Sequence, residues 1–203
     1  MKVALFGGAF DPPHLAHRAV VEAVHDELGI DRVIVLPSGN HPFKGEKHFA
    51  PADARLAMCR LAFVDLPWVE VSDHEARSTE VGYSIDTVRA FREVWGDAAD
   101  LFFLIGSDNL RDLPRWRNWR ELLGLAKFVI VPRPGFPADD AALAALDLPE
   151  DERAALRSRV VPMPPSPLSS TEVRRRLAAG EDVRDCLHPA VLREIERRKL
   201  YRP

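Results

Sequence analysis

The sequence predicts an α/β fold: a single doubly wound, mostly parallel sheet with helices on both faces. Three observations predict it. Short apolar runs alternate with stretches of helical spacing along the chain. Most of those runs are continuously apolar rather than alternating, as expected of strands that helices cover on both sides. The 17 prolines fall mostly in the segments after the runs, where they stiffen the loops at one edge of the sheet.

The elements follow in order. KVALF (2–6) opens as a strand, and Gly7 and Gly8 after it permit a turn with positive φ or a close approach of main chain to a ligand. Pro12 and Pro13 then start a helix over 14–28, since proline suits the first helical positions. RVIVLP (32–37) is the second strand, followed by a helix over 51–65. WVEVS (68–72) alternates and so suits an edge position, before a helix over 84–95. LFFLIG (101–106) and KFVIVP (127–132) are buried strands separated by a helix over 116–124, in which Trp119 is expected in the core. A helix over 140–157, a sixth strand RVVPM (159–163) and helices over 170–179 and 188–198 complete the alternation. The Pro-, Ala- and Asp-rich stretch 134–149 reads as a surface excursion.

At 203 residues the chain fits one domain over 1–203, with a helical part from about 168. The 28 Lys and Arg against 31 Asp and Glu leave no global basic field, so a nucleic-acid partner is not expected. Cys59 and Cys186 lack a metal-like spacing and read as buried, neutral thiols of a reducing compartment. No run approaches the ~18 to 20 apolar residues of a membrane span, and the apolar start is too short for a signal peptide, so a cytoplasmic protein is expected.

The stretch GGAFDPPHLAH, residues 7–17, carries three readings. It is an ordinary strand-to-helix turn, a metal site of Asp11, His14 and His17, or a phosphate pocket. His14 and His17 stand three apart, so both rings can project from one face of a helix start, where unpaired N–H groups and the helix dipole favour anions. The spacing is not H-E-x-x-H, and Asp11 precedes the helix, which weighs against metal. A second anion-ready helix start lies at PLSSTEVRRRL (167–177): Ser169, Ser170 and Thr171 offer hydroxyls, and Arg174 follows one turn later. An ordinary capping run is the alternative there. Two such sites at opposite ends of the sequence suit a triphosphate.

GGAFDPPHLAH resembles the (H/T)-x-G-H signature of nucleotidyltransferases, and LSSTEVR resembles the S-S-T-x-x-R phosphate motif of the same superfamily. FLIGSDNLRDLPRW, YSIDTV and VRDCLHPAVLREIERRKLY look like the bacterial nicotinate-nucleotide adenylyltransferase branch. The similarity runs from Lys2 to about Tyr201. Ala16 stands where the motif has glycine, and HPFK (41–44) replaces the usual Pro-Pro-His-basic order.

The resemblance implies a Rossmann-like nucleotidyltransferase fold and transfer of AMP from ATP to nicotinate mononucleotide, with Mg²⁺ as cofactor and pyrophosphate leaving. It implies that His14, His17, Lys44 and Arg174 serve the reaction. Gly7, Gly8, Ala9, Phe10, Gly106, Asp108, Ser169, Ser170 and Thr171 join His14, His17 and Arg174 around ATP. Phe10, Lys44, Tyr83, Ser84, Thr87 and Trp116 face the mononucleotide, Trp116 by stacking on the pyridine. Asp108 accepts from the ribose hydroxyls, a helix cap being the alternative. No protein metal ligand, nucleic acid or membrane is implied, and a monomer or small homo-oligomer is expected. The alternatives are nicotinamide mononucleotide or another phosphorylated acceptor, and a nucleotide-binding sensor without turnover. His48, His74 and His188 read as surface or capping residues.

Overall fold

The computed structural model describes residues 1–39, 50–78, 82–96 and 98–202. In chain order it contains β1 (Lys2–Gly8), α1 (Leu15–Leu28), β2 (Arg32–Pro37), α2 (Ala52–Ala62), β3 (Val69–Val71), α3 (Ser84–Trp95) and β4 (Asp100–Gly106). After these come α4 (Trp119–Leu125), β5 (Lys127–Val131), α5 (Asp140–Ala144), α6 (Glu150–Arg157), α7 (Ser170–Ala178) and α8 (Pro189–Arg198). The sheet has the order β3-β2-β1-β4-β5, and its β1·β4 and β4·β5 pairs are parallel. This is the doubly wound arrangement expected from the alternation. The alternating run lies at the sheet edge as β3, where one face of a strand can meet water.

Five elements depart from expectation. The first strand continues through Gly7 and Gly8, and positive φ falls instead on Phe10, at 47°. The prolines at 12 and 13 precede the helix, which begins at Leu15. The expected helix over 140–157 breaks into α5 and α6 because Asp147 takes φ of 49° and Pro149 restarts the chain as the cap of α6. The helix expected over 116–124 starts only at Trp119, after Asn118 at φ 51°, and short 3-10 turns (Ser107–Asn109 and Leu113–Arg115) fill the stretch after β4. The expected strand 159–163 is reduced to one bridge between Ile130 and Val160. Pro162 has no N–H with which to continue the ladder.

The chain divides into two compact units. The first comprises Met1–Phe6, Ala23–Val33 and Tyr83–Pro167. Its core includes Val3, Leu5, Phe103, Phe128 and Val129, all nearly inaccessible, with the Phe103 and Phe128 rings tilted 40° at 5.5 Å. Each such side chain stabilises the fold by about 1.5–3 kcal/mol. The second unit comprises Gly7–Glu22, Ile34–Gly82 and Leu168–Pro203. There α2 and α8 pack together, and Arg198 of α8 reaches Asp53 of α2 at 2.6 Å. Cys59 and Cys186 are buried free thiols, as expected, and burial pushes the Cys59 thiol up. Trp119, expected in the core, is only half-buried and carries the Arg120 guanidinium over its ring at 4.6 Å. Its position at the first turn of α4, just past a left-handed residue, turns the ring towards the surface.

Candidate active site

In the second unit, the loop after β1 and the amino end of α7 meet. His14 caps α1: its carbonyl accepts from the His17 backbone N–H at 2.9 Å, and its own N–H donates to His17 Nδ1 at 3.1 Å. The exchange resembles a capping box in which an imidazole replaces the usual carboxylate or amide at the third helical position. An Nδ1 that accepts leaves the proton of the neutral ring on Nε2, so His17 presents a donor there. The two imidazoles stack at 3.7 Å and 23°, and Phe10, 1% exposed, backs the His17 ring at 4.9 Å. A Cβ on Gly8 would stand 3.1 Å from the Phe10 ring, so the glycine makes room for it, while Gly7 meets no such neighbour. Ala9 lies in the same loop, its carbonyl held by Arg55 at 2.8 Å.

The start of α7 is tied to this loop by side-chain bonds. Ser170 Oγ donates to the Pro12 carbonyl at 2.9 Å, and Arg174 Nη1 donates to the Asp11 carbonyl at 2.6 Å. Arg174 Nη2 also reaches Thr171 Oγ1 at 3.3 Å. Ser169 is the helix cap, accepting from the Glu172 N–H at 3.2 Å, so the capping alternative holds for Ser169 in particular. Ser170 and Thr171 supply amides at the first two helical positions, which have no partner within α7. Two helix amino ends, the Nε2–H of His17 and a guanidinium offer donors to one place, a set matched to a polyanion. Oδ1 of the Asp11 carboxylate accepts from the Tyr201 hydroxyl and the Ala50 amide. Among the described residues no group of three His, Cys, Asp or Glu is placed to hold a metal ion.

In the first unit, Asp108 follows β4 in the 3-10 turn Ser107–Asn109 and is exposed. It is not the cap of that turn, whose cap position is Gly106. A Cβ on Gly106 would overlap the Asp108 carboxylate and stand 3.1 Å from Arg133 Nε, so the glycine leaves Asp108 its present rotamer. Arg133 was not singled out from sequence. Its Nε is buried without a hydrogen bond and lies 4.0 Å from Asp108 Oδ1, while Ser107 Oγ accepts from its backbone N–H at 2.8 Å. An arginine between two prolines directly after a strand, as in VPRPG, was the available signal.

Trp116 is half-buried and meets Phe103 edge-on at 6.4 Å. Tyr83 caps α3 under the Arg117 guanidinium, 4.9 Å from its ring, and Ser84 opens the helix. Thr87 is buried, 3% exposed, so its side chain belongs to the interior of the helix face. Lys44, His41 and His48 lie outside the described residues. His188 caps α8 by accepting from the Ala190 N–H, and His74 is exposed, as expected of both.

The cytidylyltransferase-like family profile matches residues 5–176. A protein of Chromobacterium violaceum named "Probable nicotinate-nucleotide adenylyltransferase" is 40% identical over 99% of this chain and 99% of its own length. One of the same name from Roseiflexus sp. is 39% identical over 98% of each. Among solved structures, a Plasmodium falciparum nicotinic acid mononucleotide adenylyltransferase complexed with NaAD superposes with a TM-score of 0.75 at 20% identity, covering 98% of this chain and 97% of that one. That likeness shows the fold, and the full-length identities show the kinship. The chain therefore belongs to the cytidylyltransferase-like family, in the branch of the nicotinate-nucleotide adenylyltransferases.

Proposed function

We propose that this protein transfers AMP from ATP to nicotinate mononucleotide, giving nicotinate adenine dinucleotide and pyrophosphate in NAD synthesis. The observation that carries the reading is the joining of two anion-ready helix starts by Ser170 and Arg174. The substrate phosphate is already ionised at neutral pH, so one of its oxygens attacks the α-phosphorus without a general base. The bond from that phosphorus to the β-phosphate bridge breaks, and pyrophosphate leaves with the electron pair. The protein's task is alignment and charge stabilisation.

His17 Nε2–H donates to the reacting phosphate, and His14 supports it. Ser169 frames the start of α7, while Ser170, Thr171 and Arg174 hold the β- and γ-phosphates. Lys44 adds a cation. Gly7, Gly8, Ala9 and Phe10 shape the backing of the nucleotide site. Gly106 and Asp108 serve the ribose, and Trp116, with Tyr83 and Ser84, serves the pyridine and its carboxylate, while the buried Thr87 packs the helix behind them. A guanidinium, hydroxyls and helix-start amides suit phosphate oxygens better than a hard divalent ion, so Mg²⁺ would come with ATP rather than on protein ligands. Residues 1–203 act as one nucleotidyltransferase domain, whose part from about 168 carries the phosphate motif. The protein works in the cytoplasm as a monomer or small homo-oligomer. Among the described residues no helix is long and apolar enough to cross a membrane.

The test incubates the protein with ATP, Mg²⁺ and either nicotinate or nicotinamide mononucleotide, and measures pyrophosphate and dinucleotide. Product with the nicotinate substrate, formed faster than with the amide, is expected. Absence of product from both overturns the reading.

A further inference from the structure

Beneath the loop that carries His14 lies a polar cluster that the proposed reaction does not touch. Asp11 is 2% exposed, and its Oδ1 accepts from Tyr201 Oη at 2.6 Å and from the Ala50 N–H at 3.2 Å. Arg55 is 1% exposed and donates to the carbonyls of Ala9 at 2.8 Å and Ala50 at 3.2 Å. Burial pushes its guanidinium below the ordinary range, and the Asp11 carboxylate is the strongest charge opposing that shift. Burial, then the bond to Asp11, pushes the Tyr201 hydroxyl up, so it stays a neutral donor.

Stability alone does not account for such a cluster, because buried ions replaced by apolar groups of similar volume often leave stability unchanged or improved. Its effect is geometric. Phe10 sits in the left-handed region, φ 47°, between the two carbonyls that matter: Ala9, held by Arg55, and Asp11, which receives Arg174. Asp11 thus faces two ways. Its carboxylate is fixed from beneath by Tyr201, and its carbonyl is the rest on which the Arg174 guanidinium lies.

We propose that Tyr201, through the Asp11 carboxylate, and Arg55, through the Ala9 carbonyl, are positioning residues which fix the Asp11 carbonyl and so aim the Arg174 guanidinium at the ATP polyphosphate. The inference rests on the nucleotidyl-transfer reading for its substrate, though not for its geometry.

Tyr201→Phe removes one hydroxyl from the cluster. It is expected to raise the KM for ATP about five- to tenfold, the worth of one hydrogen bond, and to weaken calorimetric binding of an α,β-methylene ATP analogue equally. The KM for nicotinate mononucleotide should stay unchanged. A merely structural role would lower the active fraction, and hence the apparent kcat, with both KM values unmoved. That outcome overturns the proposal.

Combined with Arg174→Lys, the Tyr201→Phe change should cost little more than Arg174→Lys alone, since both act through one guanidinium; additive losses overturn it. Should Tyr201→Phe not fold, Arg55→Lys, which keeps the charge but gives up the guanidinium's paired bonds to the Ala9 and Ala50 carbonyls, should show the same ATP-only rise, and unmoved constants refute the proposal. Wild-type protein that makes no dinucleotide, while Tyr201→Phe still weakens the analogue, would remove the transfer reading and leave the positioning role standing.

Discussion

Two loops carry most of the candidate chemistry, and they are built differently. The loop between β1 and α1 in the second unit is fixed by side chains from residues 55, 170, 174 and 201, all distant in sequence. The stretch after β4 in the first unit is shaped by its own 3-10 turns, with Ser107 bonded to Phe136 and Arg133. Donors that stabilise developing charge contribute most when they need no reorganisation as the reaction proceeds. Recognition of a sugar or a ring tolerates a locally organised, more exposed segment. The difference teaches that long-range bonding is concentrated at the loop proposed to meet the developing charge.

The sharpest way to break this comparison is at His17. His17→Ala should lower kcat by about 10²- to 10³-fold, as loss of a transition-state donor does, with much less effect on binding of an ATP analogue. A kcat within threefold of wild type, measured at saturating substrates, would remove His17 from its role. Arg174→Ala is next, with about a 30-fold loss in kcat/KM for ATP, in keeping with one charge-assisted contact. Initial rates at varied ATP will show it.

On the other loop, Trp116→Ala should raise the KM for the mononucleotide about tenfold through loss of a stacking surface. The KM for ATP should not move, and a shift in ATP instead would place Trp116 wrongly.

The smallest effect tests the frame. The hydrogen bond from Arg197, helped by one from Arg198, holds the Glu194 carboxyl at about 2 against the desolvation that opposes it. Its folded value lies below the ordinary 4.5, so the stabilisation is present above that pH and fades as pH falls from 4.5 towards 2. Glu194→Gln should cost about 1 kcal/mol at pH 7 in urea unfolding, and the two proteins should converge near pH 2.

Much of the fold was legible because hydrophobic runs and their spacing are local properties. All five strands, including the edge position of WVEVS, follow from which residues a covered or half-covered strand can bury. The misses are also local. Pro162 stopped a ladder, and Asp147 and Asn118 adopted positive φ where no glycine announced it. Gly7 and Gly8 looked like the turn, yet the turn fell on Phe10 because its ring is buried beside Gly8.

The sequence by itself determined the alternating α/β order, the pair of imidazoles on one helix start and the serine cap of α7, since each depends on neighbours within a few residues. Only the tertiary structure decided that Asp11 serves Tyr201 and Ala50 and that Arg133 lies beside Asp108. It also decided that His17 accepts through Nδ1. A buried polar group takes whichever partner the fold brings within reach, and unmet hydrogen bonds in the interior cost too much to be left to chance.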